Sequence, residues 1–279
     1  MPATDTALLA ADFERRFGGL ARLYGSAGAT RIRQAHIVIV GVGGVGSWAA
    51  EAVARCGVRR VTLVDLDHIA ESNINRQVQA VSATVGMSKV DAMRERMLQI
   101  HPDCEINCIE EFAEPGNWPG VLGLGADFAG LNVAVIDACD QIQAKTAIAV
   151  WALQNKARWF VSSGAAGGKR LAHQVDIADL SLVTHDPLLA QMRYRLRKTH
   201  CAARGAKKIG VACVFSREAV TQAGRSSDSV STSEQEELPE SVQTDASLNC
   251  HGYGSVVSVT ATFGLCAAGW VLSKIAEPV

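Results

Sequence analysis

The chain has 279 residues, of which 48% are hydrophobic and 20% are charged, and its formal net charge is −1. This length and apolar content suffice for one large α/β domain with a sizeable core. The balanced charge excludes a global field that would draw the protein to nucleic acid or to a membrane, so any basic site must be local. The eight cysteines form no CxxC pair, which is typical of reduced thiols in a cytoplasmic protein and gives no sign of structural zinc.

The first part of the chain alternates apolar strands with helices. A mixed apolar and charged pattern predicts helix over residues 8–34. Strands are predicted at 36–41, 59–67, 104–112, 132–140 and 158–164, and helices at 47–58, 87–102 and 143–157. Strand alternating with helix predicts a Rossmann-like α/β fold, in which a mostly parallel central sheet has helices on both faces and is continued by mixed strands.

After residue 175 the pattern changes. Residues 186–208 are basic, and a short strand is predicted at 210–216. Residues 225–241 are polar, acidic and poor in apolar side chains, which predicts a mobile loop. We find no internal repeat and interpret residues 1–279 as one domain.

The carboxyl-terminal stretch 252–276 contains no charged residue before Lys274. Its length would suffice to cross a bilayer, so membrane association is one interpretation. The stretch is rich in Gly, Ser, Thr and Ala, however, which favours a helix buried in the core or in a dimer interface.

A glycine-rich turn lies between the first predicted strand and the helix that follows it. Gly41, Gly43 and Gly46 give the spacing GxGxxG, with Gly44 between them. In this motif the glycines allow a tight turn, a close approach of backbone to phosphate, and close packing of helix on strand, while the helix N-terminus attracts an anion. Asp65, at the end of the second predicted strand, is placed to bind ribose hydroxyls. The pattern predicts a nucleotide site and leaves NAD and ATP open.

Polar residues beyond the turn favour ATP. When a carboxylate attacks an α-phosphate, pyrophosphate leaves and negative charge develops, which Arg76 and Lys89 would stabilise. Asn73 would orient the triphosphate, and Asp140 would hold Mg²⁺, which prefers oxygen ligands. Taken singly, Arg76 or Lys89 could be a solvated surface charge, and Asp140 could be the N-cap of the next helix.

The stretch GVGGVGSWAAEAVARCGVRRVTLVDLDHIAESNINRQ resembles the E1-like adenylating enzymes, the superfamily of ThiF and MoeB. The resemblance implies an E1-type fold, a homodimer, and binding of ATP and Mg²⁺. It assigns the family's Asn-x-x-Arg-Gln element to Asn73, Arg76 and Gln77, and the family's lysine and metal-binding acid to Lys89 and Asp140. The implied ATP-binding set is Gly41, Gly43, Gly44, Gly46, Asp65, Asp67, Asn73, Arg76, Gln77 and Lys89.

Four further segments are similar to one branch of that superfamily, the tRNA threonylcarbamoyladenosine dehydratases. They are RFGGLARLYG (16–25), SSGAAGG (162–168), VFSREAV (214–220) and HGYGSVVSVTATFG (251–264). The branch uses ATP to activate the carboxylate of N6-threonylcarbamoyladenosine at position 37 of tRNA, and the acyl-adenylate then cyclises. The resemblance implies that no carrier protein is the substrate and that sulfur-relay proteins of a cysteine desulfurase system are partners. A monovalent cation, Na⁺ or K⁺, held by backbone carbonyls is a further expectation.

The basic stretch has a use if tRNA is the substrate. Lys and Arg clusters contact phosphate backbones without reading sequence, and Tyr194 could stack on a loop base. The alternative is an ordinary solvated helix face. The candidate tRNA-binding residues are Arg193, Arg195, Arg197, Lys198, Arg204, Lys207 and Lys208.

Two departures separate the chain from MoeB and ThiF. Those proteins typically carry two zinc-binding CxxC pairs, absent here, and an R-x-x-R whose second arginine reaches the partner subunit's ATP. Here Arg16 holds the first place and Gly19 the second, so the second arginine of that motif is missing. Arg22 is either its substitute or an ordinary arginine on a helix surface. Adenylation of a ubiquitin-like sulfur-carrier protein nevertheless stays open as a second function, and an NAD(P)-binding oxidoreductase or scaffold as a third.

Two cysteines lie where an E1-type thioester residue could sit. Cys213 falls in the apolar segment GVACVFS and is expected to be a small buried residue. Cys250, beside the predicted mobile loop, is the better candidate for a reactive thiol. Intramolecular cyclisation needs no enzyme thiol, so neither is expected to be catalytic.

Overall fold

The computed structural model describes residues 12–124, 133–155, 159–205, 207–221 and 253–278. The loop predicted at 225–241 and Cys250 lie outside the described residues, as do the first residues of the helix predicted from residue 8.

Helices and strands alternate along much of the described chain, as the sequence predicts, but the strand at Val175–Asp179 was not predicted. The helices are α1 (Phe13–Phe17), α2 (Gly19–Gln34), α3 (Gly46–Arg55), α4 (Lys89–Ile100), α5 (Ile142–Gln154), α6 (Pro187–Thr199) and α7 (Val257–Ala276). The strands are β1 (His36–Val40), β2 (Arg60–Val64), β3 (Glu105–Ile109), β4 (Val133–Asp137), β5 (Phe160–Ser163), β6 (Val175–Asp179) and β7 (Ala212–Ser216). Several strands end before the polar residues that the sequence prediction had included in them.

The seven strands form one sheet in the order β3-β2-β1-β4-β5-β7-β6. Every neighbouring pair is parallel except β6 and β7, which are antiparallel. The chain runs outward from β1 to β3 and then returns to β4 on the other side of β1. The carboxyl ends of β1 and β4 therefore frame the crevice in which open α/β sheets bind their ligands. The predicted fold class is confirmed.

The two faces of the sheet are covered by different helices. Along β1, Ile37 and Ile39 belong to the apolar cluster that includes residues of α3 and α7. Val38 and Val40 belong to the cluster that includes residues of α5 and α6. Because successive strand residues point to opposite faces, this alternation buries β1 on both sides and explains its continuous apolar sequence.

Helix α7 is the carboxyl-terminal apolar stretch of the sequence. Within the described residues it is the one helix long and apolar enough to cross a membrane, and 56% of its most apolar window is buried inside the protein. Its buried side chains, among them Val259, Phe263 and Val271, belong to the main core. This placement is that of a core helix and gives no support to membrane association.

Candidate active site

A cavity of about 340 Å³ opens at the carboxyl ends of β1, β2 and β4. The structure brings ten predicted site residues together around it. They are Gly41, Gly43, Gly44, Asp65, Asp67, Asn73, Arg76, Gln77, Lys89 and Asp140. Five separate segments of the sequence therefore contribute to one cleft, which lies at the expected switch point of the sheet.

The glycine turn shapes one side of the cleft. Gly41 has a φ of +86°, and a Cβ there would lie 2.9 Å from main-chain atoms of Ala138, so a side chain is excluded on both grounds. Gly46 does not line the cavity; a Cβ there would overlap the carbonyl oxygen of Gly41, so it serves the packing of α3 on the turn. Helix α3 begins without a side-chain N-cap, and its first amides can therefore bind an anion.

Asp65 lies directly after β2 and fixes the glycine turn. Its carboxylate accepts hydrogen bonds from the amides of Val42 (2.6 Å) and Asp67 (2.9 Å). Burial raises the pKa of Asp65, although Lys89 and the two amides oppose the shift. Lys89 Nζ lies 2.6 Å from Asp67 and 3.8 Å from Asp65, so in this geometry it neutralises the two acids. A phosphate contact would require the lysine side chain to reorient.

The Asn-x-x-Arg-Gln element is held against the glycine turn. Asn73 accepts the amide of Ala70 at 3.1 Å, and the indole of Trp48, on α3, donates to the carbonyl of Arg76 at 2.9 Å. A Cβ on Gly44 would lie 3.3 Å from Cδ of Arg76, so the arginine stem lies over the turn. Arg76 Nη1 also donates to the carbonyl of Ser72 at 2.6 Å. The guanidinium is thus positioned beside the site expected for phosphate.

Two acids near the carboxyl end of β4, Asp137 and Asp140, have different environments. The sequence analysis placed Asp140 at the end of this strand, but the strand ends at Asp137, and Asp140 follows in the loop that lines the cleft. The N-cap of α5 is Gln141, so the alternative of Asp140 as the N-cap is wrong.

Asp137 is fully buried and forms an ion pair that the sequence analysis missed. Lys145, equally buried on α5, donates to it at 2.7 Å, and Ser162 on β5 donates at 2.6 Å. Burial alone would lower the pKa of Lys145, but the Asp137 carboxylate outweighs it and holds that pKa above its ordinary value. The available signal was that Lys145 is the one charged residue of α5, but its partner cannot be read from spacing.

The cleft has a second wall that the motifs did not predict. Gly164, Ala166 and Gly167, in the turn after β5, line it. Ser255 and Thr260, at the start of α7, also line it. Asn75 donates to the carbonyl of Ser255 at 3.0 Å, so the element that carries Arg76 contacts the segment leading into α7. These residues had entered only through their resemblance to the dehydratase branch.

The structure does not bring the basic residues of the stretch 186–208 to the cleft, although the stretch begins there. Asp186, the N-cap of α6, accepts the amide of Ala165 beside the cleft, and the 13-residue helix then runs about 20 Å away from it. The loop after the helix ends where Ile209 and Gly210 donate to Asp179, before the amino end of β7. The carboxyl end of α6 therefore lies at the opposite edge of the sheet.

The basic residues fall into two groups. Arg193 donates to the carbonyls of Leu180 and Val183. Arg197 donates to the carbonyls of Ala203 and Gly205. Both arginines therefore stabilise the loops beside α6. Arg195 is half-buried, and the ring of Tyr194 is 60% exposed. The exposed members, which we name the distal basic cluster, are Lys198, Arg204, Lys207 and Lys208.

Neither Cys213 nor Arg16 contributes to the cleft. Cys213 is fully buried on β7, and burial raises the pKa of its thiol well above the ordinary value, as expected for an inert apolar residue. Arg16 donates to the carbonyl of Ile100 at the carboxyl end of α4, away from the cleft.

Comparison with known proteins agrees with the geometry. The model of the ThiF family matches residues 17–277. The tRNA threonylcarbamoyladenosine dehydratase of Haemophilus influenzae is 38% identical, over 95% of this chain and 94% of its own length. The enzyme of the same name from Escherichia coli is 37% identical over 94% of both.

Solved structures of the Escherichia coli enzyme, TcdA, give the same result. Its complex with ATP has a TM-score of 0.78 and 36% identity over 94% of both chains. Its complex with AMP also has a TM-score of 0.78 and 36% identity, over 96% of this chain and 97% of that one. The chain therefore belongs to the ThiF family, in the branch of the tRNA threonylcarbamoyladenosine dehydratases.

Proposed function

We propose that the protein uses ATP to dehydrate N6-threonylcarbamoyladenosine at position 37 of tRNA. The threonyl carboxylate attacks the α-phosphate, pyrophosphate leaves, and the acyl-adenylate closes on itself with release of AMP. The observation that carries the proposal is the single cleft that joins the glycine turn, Asp65, Arg76 and Asp140 in a chain that matches dehydratases over nearly its full length.

The residues of the cleft suit the parts of ATP. Asp65 and Asp67 offer carboxylate oxygens to the ribose hydroxyls, while the amides at the start of α3 face the phosphates. Arg76 stabilises the charge that develops on the α-phosphate as pyrophosphate leaves. Lys89 would also contact phosphate once it releases Asp67. Binding of the ribose favours this release, because the ribose hydroxyls bind the same Asp67 carboxylate.

Asp140 is the residue that would hold Mg²⁺. No group of three or more His, Cys, Asp or Glu side chains with metal-binding geometry occurs among the described residues. Mg²⁺ at nucleotide sites commonly takes one or two carboxylates, substrate phosphates and water, so one acid in the cleft fits this ion better than a protein cage would. Bound there, the ion would neutralise phosphate charge during the displacement.

The distal basic cluster is the proposed docking surface for the tRNA body. Its exposed cations lie at the other end of α6 from the cleft, so they would hold phosphates remote from the reacting nucleoside. Arg193 and Arg197 are not part of this proposed surface, because their guanidinium groups donate hydrogen bonds to main-chain carbonyls.

We further propose that the protein acts as a cytoplasmic homodimer. Leu23 is 73% exposed on α2, and Leu265 is 48% exposed on α7, a helix that packs against α2. These apolar side chains suit contact with a second copy. An arginine in trans and sulfur-relay partners stay predictions.

The direct test is mass spectrometry of nucleosides from substrate tRNA incubated with the protein, ATP and Mg²⁺. We expect the dehydrated nucleoside together with equimolar AMP and pyrophosphate. Asp140→Asn should abolish formation of the dehydrated nucleoside, AMP and pyrophosphate. Asp103→Asn, which changes an exposed carboxylate in the loop after α4, should leave their formation unchanged. Pyrophosphate exchange that depends on a carrier protein instead of tRNA would contradict the proposal and favour a carrier-protein adenylyltransferase.

A further inference from the structure

Gln79 is a buried amide beside the glycine turn, and none of the roles above uses it. It is 3% exposed and does not itself line the cleft. Its main chain is held in place, because the hydroxyl of Thr84 donates to its carbonyl at 2.7 Å. Gln77, two residues earlier, does line the cleft. The two glutamine side chains contact one another, so Gln79 can act on the cleft through Gln77.

The orientation of the Gln79 amide is set by a main-chain carbonyl. Its Nε2 lies 3.0 Å from the carbonyl oxygen of Val42, in the glycine turn. A carbonyl oxygen only accepts hydrogen bonds, so Gln79 directs its NH₂ group, and not its oxygen, at Val42. The main-chain amide of Val42 in turn donates to Asp65 at 2.6 Å. Val42 is therefore fixed from both sides and gives Gln79 a firm reference.

The same NH₂ group of Gln79 fixes the side chain of Gln77. The distance from Nε2 of Gln79 to Oε1 of Gln77 is 3.3 Å. Because only the oxygen of an amide accepts, Gln77 turns Oε1 toward Gln79, and its own NH₂ group is the end available to the cleft. An NH₂ group donates hydrogen bonds and suits phosphate oxygens, whereas an amide oxygen in the same place would repel them.

The other end of the Gln79 amide does not favour stability. Its Oε1 is buried and has no hydrogen-bond partner among the residues that the structure describes. A buried oxygen without a partner lowers the stability of the folded protein, and an apolar side chain of similar size would avoid that cost. What the amide contributes is therefore its pair of donor contacts, to Val42 and to Gln77.

We infer that Gln79 is a positioning residue that makes Gln77 a hydrogen-bond donor to the phosphates of ATP. The contacts run from the Val42 carbonyl through the amide of Gln79 to that of Gln77, and each of them allows one orientation. The inference deepens the proposed function and rests on the cleft being an ATP site. It assigns the direction of one phosphate contact, which the position of Gln77 in the cleft leaves open.

The test measures the affinity of the full-length protein for ATP with Mg²⁺, by calorimetry, and for adenosine, by ligand-observed NMR. Gln79→Met keeps the size but has no donor, so the Gln77 amide can take either orientation and ATP should bind about three- to tenfold more weakly. The carboxyl group of Gln79→Glu accepts from the Gln77 NH₂ group and turns the Gln77 oxygen to the cleft, so the loss should exceed about tenfold. Adenosine has no phosphate, and its affinity should stay within about twofold in both variants. Gln99→Met, at an exposed position on α4, is the matched control and should change neither affinity.

Thermal unfolding and a double variant separate positioning from a structural role. Gln79→Met removes the unpartnered oxygen together with the two donor contacts, so its midpoint should lie within about 3 °C of the wild type. In a Gln77→Met background, Gln79→Met should cause less than about a twofold further loss of ATP affinity, because the amide that it orients is gone.

Three results would overturn the inference: wild-type ATP affinity in Gln79→Met, an equal loss of affinity for adenosine, or the full loss repeated in the Gln77→Met background. A wild type that does not bind ATP would overturn both the inference and the proposed function. A wild type that binds ATP but forms no dehydrated nucleoside would contradict the proposed function alone, and the binding comparison would still decide the role of Gln79.

Discussion

Replacing Lys145 by methionine is expected to be among the most costly single changes beneath the cleft. Methionine keeps most of the side-chain volume, so little cavity forms, but Asp137 is left buried with a charge that nothing balances. Removal of one partner from a buried ion pair typically costs about 3–5 kcal/mol. For a protein of this size, a loss of about 4 kcal/mol lowers the midpoint of thermal unfolding by on the order of 10 °C.

The measurement is urea unfolding of four proteins: wild type, Lys145→Met, Asp137→Asn and the double variant. The double variant should recover most of the free energy of unfolding lost by Lys145→Met, because no unpaired charge is then buried. Arg55→Met is the matched control, because Arg55 is exposed and its buried partner Glu51 keeps an ion pair with Arg96; it should change the free energy of unfolding by less than about 1 kcal/mol. The reasoning is wrong if Lys145→Met costs no more than Arg55→Met, or if the two losses in the double variant simply add.

Three other predictions concern packing, acid stability and tRNA binding. Gly46→Ala should sharply lower both thermal stability and ATP affinity, measured by melting and calorimetry; normal values would contradict the packing of α3 on the turn. Burial lowers the pKa of His36 in the folded protein to about 4, so between pH 6.5 and 4 only the unfolded protein binds a proton at this residue. Up to about 3 kcal/mol of the free energy of unfolding is therefore lost as pH falls through that window, and His36→Gln should reduce this dependence of stability on pH. Neutralising the distal basic cluster should weaken tRNA binding and reduce its salt slope by up to about 3, whereas an unchanged slope would return these residues to an ordinary solvated face.

The part of the fold that was predictable from sequence is the part with strong local patterns. The continuous apolar strands, the GxGxxG turn and the acid at residue 65 gave the parallel sheet and its switch point. Strand β6 was missed because all five of its residues are only half-buried at the sheet edge, and its polar sequence lacks strict alternation. Missing β6 also hid the reversal of chain direction that places the basic end of α6 away from the cleft.

The residues missed beside the cleft are those held by partners elsewhere in the chain. Arg76 and Asp140 were found because their type and order suit phosphate chemistry. Asp137 was passed over in favour of Asp140, since only the structure shows that Lys145 and Ser162 surround the first acid while the second faces the cavity. Lys169, in the segment after β5, is buried and was overlooked for the same reason: its ammonium donates to the carbonyl oxygens of His185 and Glu218, and carbonyl oxygens leave no signature in sequence.

If the distal basic cluster docks the tRNA body as proposed, the length of α6 gives the protein a means of selecting its substrate by size. A ligand that uses both the cleft and the distal basic cluster must extend about 20 Å along the helix. A modified nucleoside, or a few nucleotides around it, would fill the cleft and gain nothing from the far cations. Discrimination against such fragments then depends on the distance between the cleft and the distal basic cluster. A helix lengthened or shortened by one turn would change the minimum length of RNA that contacts both.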